Sequence, residues 1–407
     1  MNIESRLQLG PASSQDLQSA TGMSQAGVSR ALAKLGNRVI KYRDGRQIRY
    51  LLTTSAFDVS DSIPICTIDA TGHSNTIAHL RPLCHRGFYV EPQSACSKLL
   101  LGENRDGLFD DLPYFLEDLR PQGFIGRQIA QLLSQQSAFF SADPTRWNTD
   151  QIGRYLLSNS NDLPGNFQLG QLHRQQLHRQ PQAIARSDYA RLADNVIEGE
   201  IPGSSAGGEQ PKFSVFSEDT QAHVIVKFSP RGNDPVAKRW RQILLTEFHA
   251  AATLLDHGLP AAQSSLFEVD GRLFLESRRF DRMGIYGRAP MISLSAIDAE
   301  FVGLASNWVD VTQRLFEQNL LLEKDWLTTK KLWEFGRQIQ NTDMHLGNLS
   351  LSIDQDVFKL LPAYDMCSMR FAPKAHGELM RFEPKQIQSS DPMAQDFWQR
   401  VMSDERF

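Results

Sequence analysis

Apolar residues recur with two periods along this chain, two in some stretches and about 3.6 in others, and the switches between them mark its elements. The run Lys212-Phe213-Ser214-Val215-Phe216 alternates and predicts a strand. Ser217-Glu218-Asp219-Thr220 then predicts a turn, and Ala222 to Phe228 a second strand. Arg241 to Leu255 has the spacing of an amphipathic helix, stopped by Asp256-His257-Gly258-Leu259-Pro260. Arg272 to Arg282 predicts a strand running into a charged link. Thr312 to Glu323 and Asp325 to Gln340 predict helices, followed by two short apolar strands, Leu349 to Ile353 and a second from Leu360. Earlier in the chain, Ile65 to Ile68, Thr76 to Leu80 and Gly87 to Val90 predict a small antiparallel sheet. Helices are expected over Gly123 to Leu133, Trp147 to Leu157 and Ser187 to Val196, and a linker over residues 53–62.

The first fifty residues form a separate pattern. Ser13 to Ala20 and Met23 to Leu35 predict two short helices joined at Gly22, the second capped by Ser24. Two such helices joined by a tight glycine turn make a helix-turn-helix, whose second helix enters the DNA major groove. Arg38 to Arg43 and Arg46 to Leu52 flank Asp44-Gly45, a strong hairpin signal, and read as a wing. Arg30, Lys34, Arg38, Lys41, Arg43, Arg46 and Arg49 face one acid, Asp44, in a chain of net charge −4. Basic charge concentrated on one small module points to a phosphate backbone as partner. Ser24, Gln25, Ser29 and Arg30 are the candidate base readers, with Lys34, Arg43 and Arg46 as further DNA contacts. Such modules also serve as protein–protein adaptors, and that alternative stays open.

Candidate chemistry lies in the second half. In Asn341-Thr342-Asp343-Met344-His345-Leu346-Gly347-Asn348, an Asp precedes an Asn by five positions. Kinases use this spacing for a catalytic base and a magnesium ligand, and Asp365 follows two short strands later, where the other metal ligand belongs. Upstream, Gly203-Ser204-Ser205-Ala206-Gly207-Gly208-Glu209-Gln210-Pro211-Lys212 is a small-residue loop whose backbone N–H groups could approach phosphate oxygens. It is not a Walker loop, because Lys212 is followed by Phe213. Lys227 lies in an apolar strand, where burial demands a partner; Glu247, mid-helix, is suited to that role. The charged link after Arg272 is where a hinge would offer backbone groups to adenine.

Together, Ser-x-Ala-Gly…Gln-Pro-Lys, Val226-Lys227-Phe228-Ser229-Pro230, Arg279-Phe280-Asp281-Arg282 and Asn-Thr-Asp-x-His-x-x-Asn resemble the HipA-type serine/threonine kinase toxins, over roughly residues 200 to 370. The resemblance implies an α+β chain: a two-lobed, protein-kinase-like fold preceded by a winged helix-turn-helix. It implies Asp343 as catalytic base, Asn348 and Asp365 as magnesium ligands, and Lys227 as a phosphate-contacting lysine. The nucleotide-binding set would comprise Ser204, Ser205, Ala206, Gly207, Gly208, Lys212, Lys227, Glu247, Glu276, Arg278, Phe280 and His345. Ser204 or Ser205 would be autophosphorylated. Two departures stand out: Gly347 occupies a position where that family often has lysine, and the loop holds one extra residue before its lysine.

The expected domains are therefore 1–55, winged helix-turn-helix; 56–275, small-sheet and helical region with the kinase N-lobe; and 276–407, the C-lobe. The expected cofactors are ATP and Mg2+, and the expected partners duplex DNA, a protein substrate and a second copy of the chain. The alternative function is a DNA-binding regulator whose kinase-like domain serves as an inactive sensor. A hydrophobic content of 41% with 22% charged residues is globular. No apolar run reaches membrane-spanning length and the amino end does not read as a signal peptide. Cys66, Cys84, Cys96 and Cys367 lack metal-ligand spacing and read as reduced cytoplasmic thiols. His173 and His178 read as solvated helix residues.

Overall fold

A computed structural model describes residues 1–158, 162–171, 178–198, 210–374, 377–384, 387 and 389–407. Its contacts fall into two units, Met1–Ile68 with Ser74–Arg120 and Trp147–Gln176, and Asp69–His73 with Pro121–Arg146 and Leu177–Phe407.

The first unit begins with α1 (Ile3–Gln8), β1 (Ala12–Ser13), α2 (Ser14–Thr21), α3 (Gln25–Leu35), β2 (Val39–Asp44) and β3 (Gln47–Leu52). Local chemistry fixes these boundaries. The Ser13 hydroxyl accepts from the Asp16 N–H while the Asp16 carboxylate accepts from the Ser13 N–H, a complete capping box. Gly22, at φ 72°, ends α2, and Ser24 caps α3 by accepting from the Gly27 N–H. The three strands pair in the order β1-β3-β2, and Gly45, at φ 57°, lets the β2–β3 hairpin turn. Ile3, Leu7, Ala12, Leu17, Val28, Leu32 and Leu52 form the core, the larger of them worth about 1.5–3 kcal/mol each on burial. A second sheet follows: β4 (Ile63–Ile68), β5 (Ser74–Pro82), β6 (Phe88–Pro92), β7 (Leu108–Phe109) and β8 (Phe167–Leu169), ordered β7-β6-β5-β4-β8 and antiparallel throughout.

Residues 53–62 carry no named element, as a linker should, yet they are pinned. The buried Phe57 ring lies so close to Gly153 that a Cβ there would come within 2.2 Å of it. Arg81 of β5, 6% exposed, donates to the Asn37 carbonyl in the turn after α3 (2.5 Å), to the Asp61 carbonyl (2.7 Å) and to the Glu91 carboxylate (2.8 Å).

The second unit holds a mixed sheet: β9 (Ala183–Ile184), β10 (Lys212–Ser217), β11 (Ala222–Phe228), β12 (Ser264–Val269) and β13 (Arg272–Arg278), ordered β12-β13-β11-β10-β9. The period of two sorts its faces. Phe213, Val224, Val226, Phe228 and Phe274 pack with Tyr189 and Ala193 of α4 (Tyr189–Glu198). Leu273 and Leu275 face the other way, onto Leu244 and Leu245 of α5 (Pro235–Asp256). That helix is longer than the expected 241–255. Asp234 caps it by accepting from the Val236 and Ala237 N–H groups, and Pro235 occupies the first turn, where its missing N–H costs nothing.

Beyond lie β14 (Ile292–Ser293), α6 (Trp308–Glu317), α7 (Glu323–Gln338), β15 (Ser350–Asp354), β16 (Val357–Leu360) and α8 (Pro392–Ser403). The helices expected at 312–323 and 325–340 are shifted toward the amino end: Asn307 caps α6 and Asn319, at φ 59°, turns the chain between them. The second apolar strand ends at Leu360 rather than starting there. His178 is not a solvated helix residue; it is half-buried, its Nε2 bonds the Gly72 carbonyl at 3.1 Å, and its ring stacks on Tyr286. His173 lies outside the described residues. None of the four cysteines is in a disulfide, and among the described residues no cluster of potential metal ligands and no membrane-length apolar helix occurs.

Candidate active site

Lys227 sits on the α5 face of β11, and its ammonium is the centre of the site. It donates to both Glu247 oxygens at 2.6 and 2.7 Å and to Asp365 Oδ1 at 2.8 Å. Lys212, paired with Lys227 across the β10–β11 ladder, brings its Nζ to 3.9 Å from the other Asp365 oxygen. Lys227 and Glu247 are 6% exposed, so each needs the other. Burial alone would lower the Lys227 pKa, but the carboxylates of Asp365 and Glu247 more than offset that and hold it above the ordinary lysine range. Burial opposes charge on Asp365 too, yet Lys227 and Lys212 keep its carboxyl well below the usual carboxylate range. Burial pushes Glu247 upward, only partly countered by the ammonium. Asp365 adopts φ 55°, a left-handed conformation that aspartate tolerates at a cost of about 1 kcal/mol or more.

Asp343 lies on an exposed loop whose backbone is tied at several points. Its N–H donates to Asn341 Oδ1 at 3.0 Å, and Asn348 Nδ2 donates to its carbonyl at 2.7 Å. Trp308, buried in α6, donates from Nε1 to the His345 carbonyl at 2.8 Å. The His345 imidazole folds back to accept from the Gly347 N–H at 3.1 Å. A Cβ on Gly347 would stand 2.9 Å from that exposed ring, so a side chain there would turn His345 aside. Tyr364 joins this loop to Asp365. Its hydroxyl donates to the Gly347 carbonyl at 2.9 Å, and its ring meets Phe280 of the charged link at 5.8 Å.

The remaining expected residues divide. Ser204, Ser205, Ala206, Gly207 and Gly208 lie outside the described residues. The Glu276 side chain points to the α4 face of the sheet, opposite Lys227, where it accepts from Tyr189 Oη and Arg186 Nη2 at 2.7 Å each. The parity of the strand decides this, since Glu276 pairs with Val226 and Leu275 with Lys227. Arg278 and Phe280 line a cavity of about 490 Å³ together with Ala261, Gln263, Met283 and Pro362. Sequence reasoning gave no role to Tyr364, Trp308 or Asn341; Tyr364, directly before Asp365, and Asn341, first residue of the Asn-Thr-Asp motif, carried a positional signal, and Trp308 did not.

In the first unit, Ser24, Gln25, Ser29, Arg30, Lys34, Arg43 and Arg46 are all exposed. Two neighbouring cations counted with them are already paired, Arg38 with Glu4 at 2.8 Å and Arg49 with Asp44 at 2.7 Å. Arg30, Lys34, Lys41, Arg43 and Arg46 make no ion pair among the described residues.

The family model described as a HipA-like C-terminal domain matches residues 204–405, and the one described as a YjjJ-like toxin middle domain matches residues 59–178. Toxin YjjJ of Escherichia coli (strain K12) is 36% identical over 417 residues, covering 98% of this chain and 91% of that protein. The chain belongs to the HipA-type toxin family. Among solved structures, HipA of Shewanella oneidensis MR-1, in a complex with HipB and operator DNA, matches with a TM-score of 0.54 at 16% identity, over 83% of this chain and 88% of that one. The kinase-like α+β fold of HipA-type proteins is thus the fold of this chain. The Helicobacter pylori proinflammatory kinase CtkA overlaps more partially, with a TM-score of 0.29 at 15% identity over 47% of this chain and 75% of that one.

Proposed function

We propose that this HipA-type protein is an ATP- and magnesium-dependent serine/threonine protein kinase whose amino-terminal module binds duplex DNA. The observation that carries the first half is the Lys227–Glu247–Asp365 cluster, joined through Tyr364 to the loop of Asp343 and Asn348. Lys227, charged and held on two carboxylates, is placed to neutralise phosphate oxygens. The donor set fits a hard divalent cation: Asp365 offers a carboxylate and Asn348 an amide oxygen, its Nδ2 being engaged on Asp343. Magnesium at those ligands supplies charge neutralisation across a triphosphate. Asp343 accepts the proton of a substrate hydroxyl, and its tethered backbone keeps the carboxylate where the hydroxyl arrives. The cavity against Arg278 and Phe280 is large enough for a purine.

The proposal is tested by incubating the full chain with labelled ATP and magnesium. Phosphate should be transferred, chelation should abolish transfer, and mass spectrometry should find phosphate on Ser204 or Ser205. A phosphate there adds about −1.5 to −2 charge beside the nucleotide phosphates and should weaken nucleotide binding. An active enzyme with phosphate only at distant serines would sink the self-control part; no transfer at all would favour the inactive-sensor reading.

For the module, the free cations on α3 and the wing support a phosphate-backbone partner, and duplex affinity of the full chain should fall steeply with salt. Arg43→Ala or Arg46→Ala should weaken all sequences about equally and flatten the salt slope, whereas Arg38→Ala and Arg49→Ala, already paired, should do less. Gln25→Ala or Arg30→Ala should relax preference at single base pairs by roughly 1–3 kcal/mol. Salt-independent binding, or equal effects from paired and unpaired arginines, would point to the adaptor reading instead.

A further inference from the structure

The helix that presents Glu247 is gripped from its far side. On α5, Gln242, His249 and Asp256 recur every seven residues and so form one stripe along the helix. His249 is two residues from Glu247, about 200° round the helix, so the stripe faces away from Lys227. It is met in reverse order by the segment from α8 to Phe407. Gln242 Nε2 donates to the Phe407 carbonyl at 3.2 Å, His249 Nε2 meets Asp404 Oδ2 at 2.8 Å, and Arg400 Nη1 meets Asp256 at 2.8 Å. One residue on, His257 meets Asp396 at 3.2 Å. The Arg400–Asp256 pair is well exposed and contributes little. His249 and Asp404, at 12% and 8% side-chain exposure, form the buried contact.

The same helix reaches the catalytic loop from its other side. Phe397 and Trp398 of α8 are buried; the Phe397 ring lies 5.9 Å from Phe335 of α7, and Trp398 Nε1 donates to the Gln338 carbonyl at 3.4 Å. Gln338 ends α7, three residues before Asn341, whose side chain fixes the Asp343 N–H. One helix therefore braces both the helix that carries Glu247 and the helix that leads into the Asp343 loop. We propose that Asp404 is a positioning residue for the site: through His249 it holds α5 at the angle that brings Glu247 onto Lys227. The significance of that angle rests on the phosphoryl-transfer reading given above. Arg406 keeps the Asp404 carboxyl well below its usual range, and burial lowers the His249 pKa.

The test uses the full chain and reads Lys227 directly, by its reactivity toward an amine-acylating probe followed by peptide mass spectrometry. In the wild type, Lys227 should be strongly protected relative to exposed Lys324 and Lys331. In Asp404→Ala, labelling of Lys227 should rise about tenfold or more while those lysines stay unchanged. Amide exchange should quicken across Ile243 to Leu254 but not across α6. His249→Gln, which keeps a donor at similar reach, should stay close to wild type. Unchanged labelling and exchange in Asp404→Ala would overturn the proposal, and so would equal loosening of α5 and α6, which signals general destabilisation. Labelling needs no turnover, so a wild-type protein that transfers no phosphate would overturn the kinase reading without altering this result.

Discussion

Asp343→Ala should lower phosphoryl transfer by about 100- to 10,000-fold, the range associated with loss of a general base. The protein should remain folded, because the Asp343 side chain is about half exposed, its carboxylate accepts only a long 3.4 Å bond from Asn348 Nδ2, and the shorter bonds that shape the loop go to the residue 343 main chain. The Asn341 and Asn348 hydrogen bonds to the residue 343 main chain survive the substitution. Label incorporation should therefore collapse while the calorimetric unfolding transition hardly moves. Transfer at the wild-type rate by the alanine variant would remove Asp343 from the mechanism; a large drop in melting temperature would instead assign it a structural role.

Lys227→Met should be the most destabilising single change in the site, by about 3–5 kcal/mol at neutral pH, because it leaves Glu247 buried without its cation. The partly exposed Asp365 contributes a smaller share. The pH dependence has a definite sign. In the wild type the folded-state pKa of Asp365 lies below its unfolded value, so its contribution is present above about pH 4 and is lost as the pH falls through the folded pKa. In the variant the ammonium is gone and both carboxyls shift upward. Stability is then greatest below their unfolded values and falls as the pH rises through the raised ones. The difference between the two proteins should narrow on acidification, which urea unfolding at pH 7 and pH 5 will measure. A difference independent of pH would mean that packing of the lysine stem, not charge, dominates.

Where the sequence was legible, short-range chemistry was the reason. The five-residue offset from Asp343 to Asn348, the isolated lysine in an apolar strand and the Ser13–Asp16 capping box each specify their geometry within a few residues. Strand parity is readable too: Glu276, one position from Leu275 in a ladder that alternates faces, turns its side chain away from Lys227. The start of α5 was missed because Pro235 looks like a breaker until Asp234 is recognised as its cap. Asp404 was not recoverable, since it lies 155 positions from His249 and no local pattern ties the two together. The seven-residue polar stripe on α5 did announce that something packs there, though not what.

Arg81 alters what kind of object the amino-terminal module is. Its guanidinium closes on the Asn37 carbonyl in the turn that follows α3 and ties that turn to a strand of the following sheet. Cys84 adds a main-chain bond to Leu52 at the end of the wing. Cut at residue 55, the module would leave the Asn37 carbonyl without its guanidinium and Leu52 without that partner. It is therefore a poor candidate for transplantation onto another protein, and a swapped version would need residues 56–92 to travel with it. In the intact chain, helix, hairpin and sheet belong to one compact unit, and the Arg81 and Cys84 bonds link the first to the last.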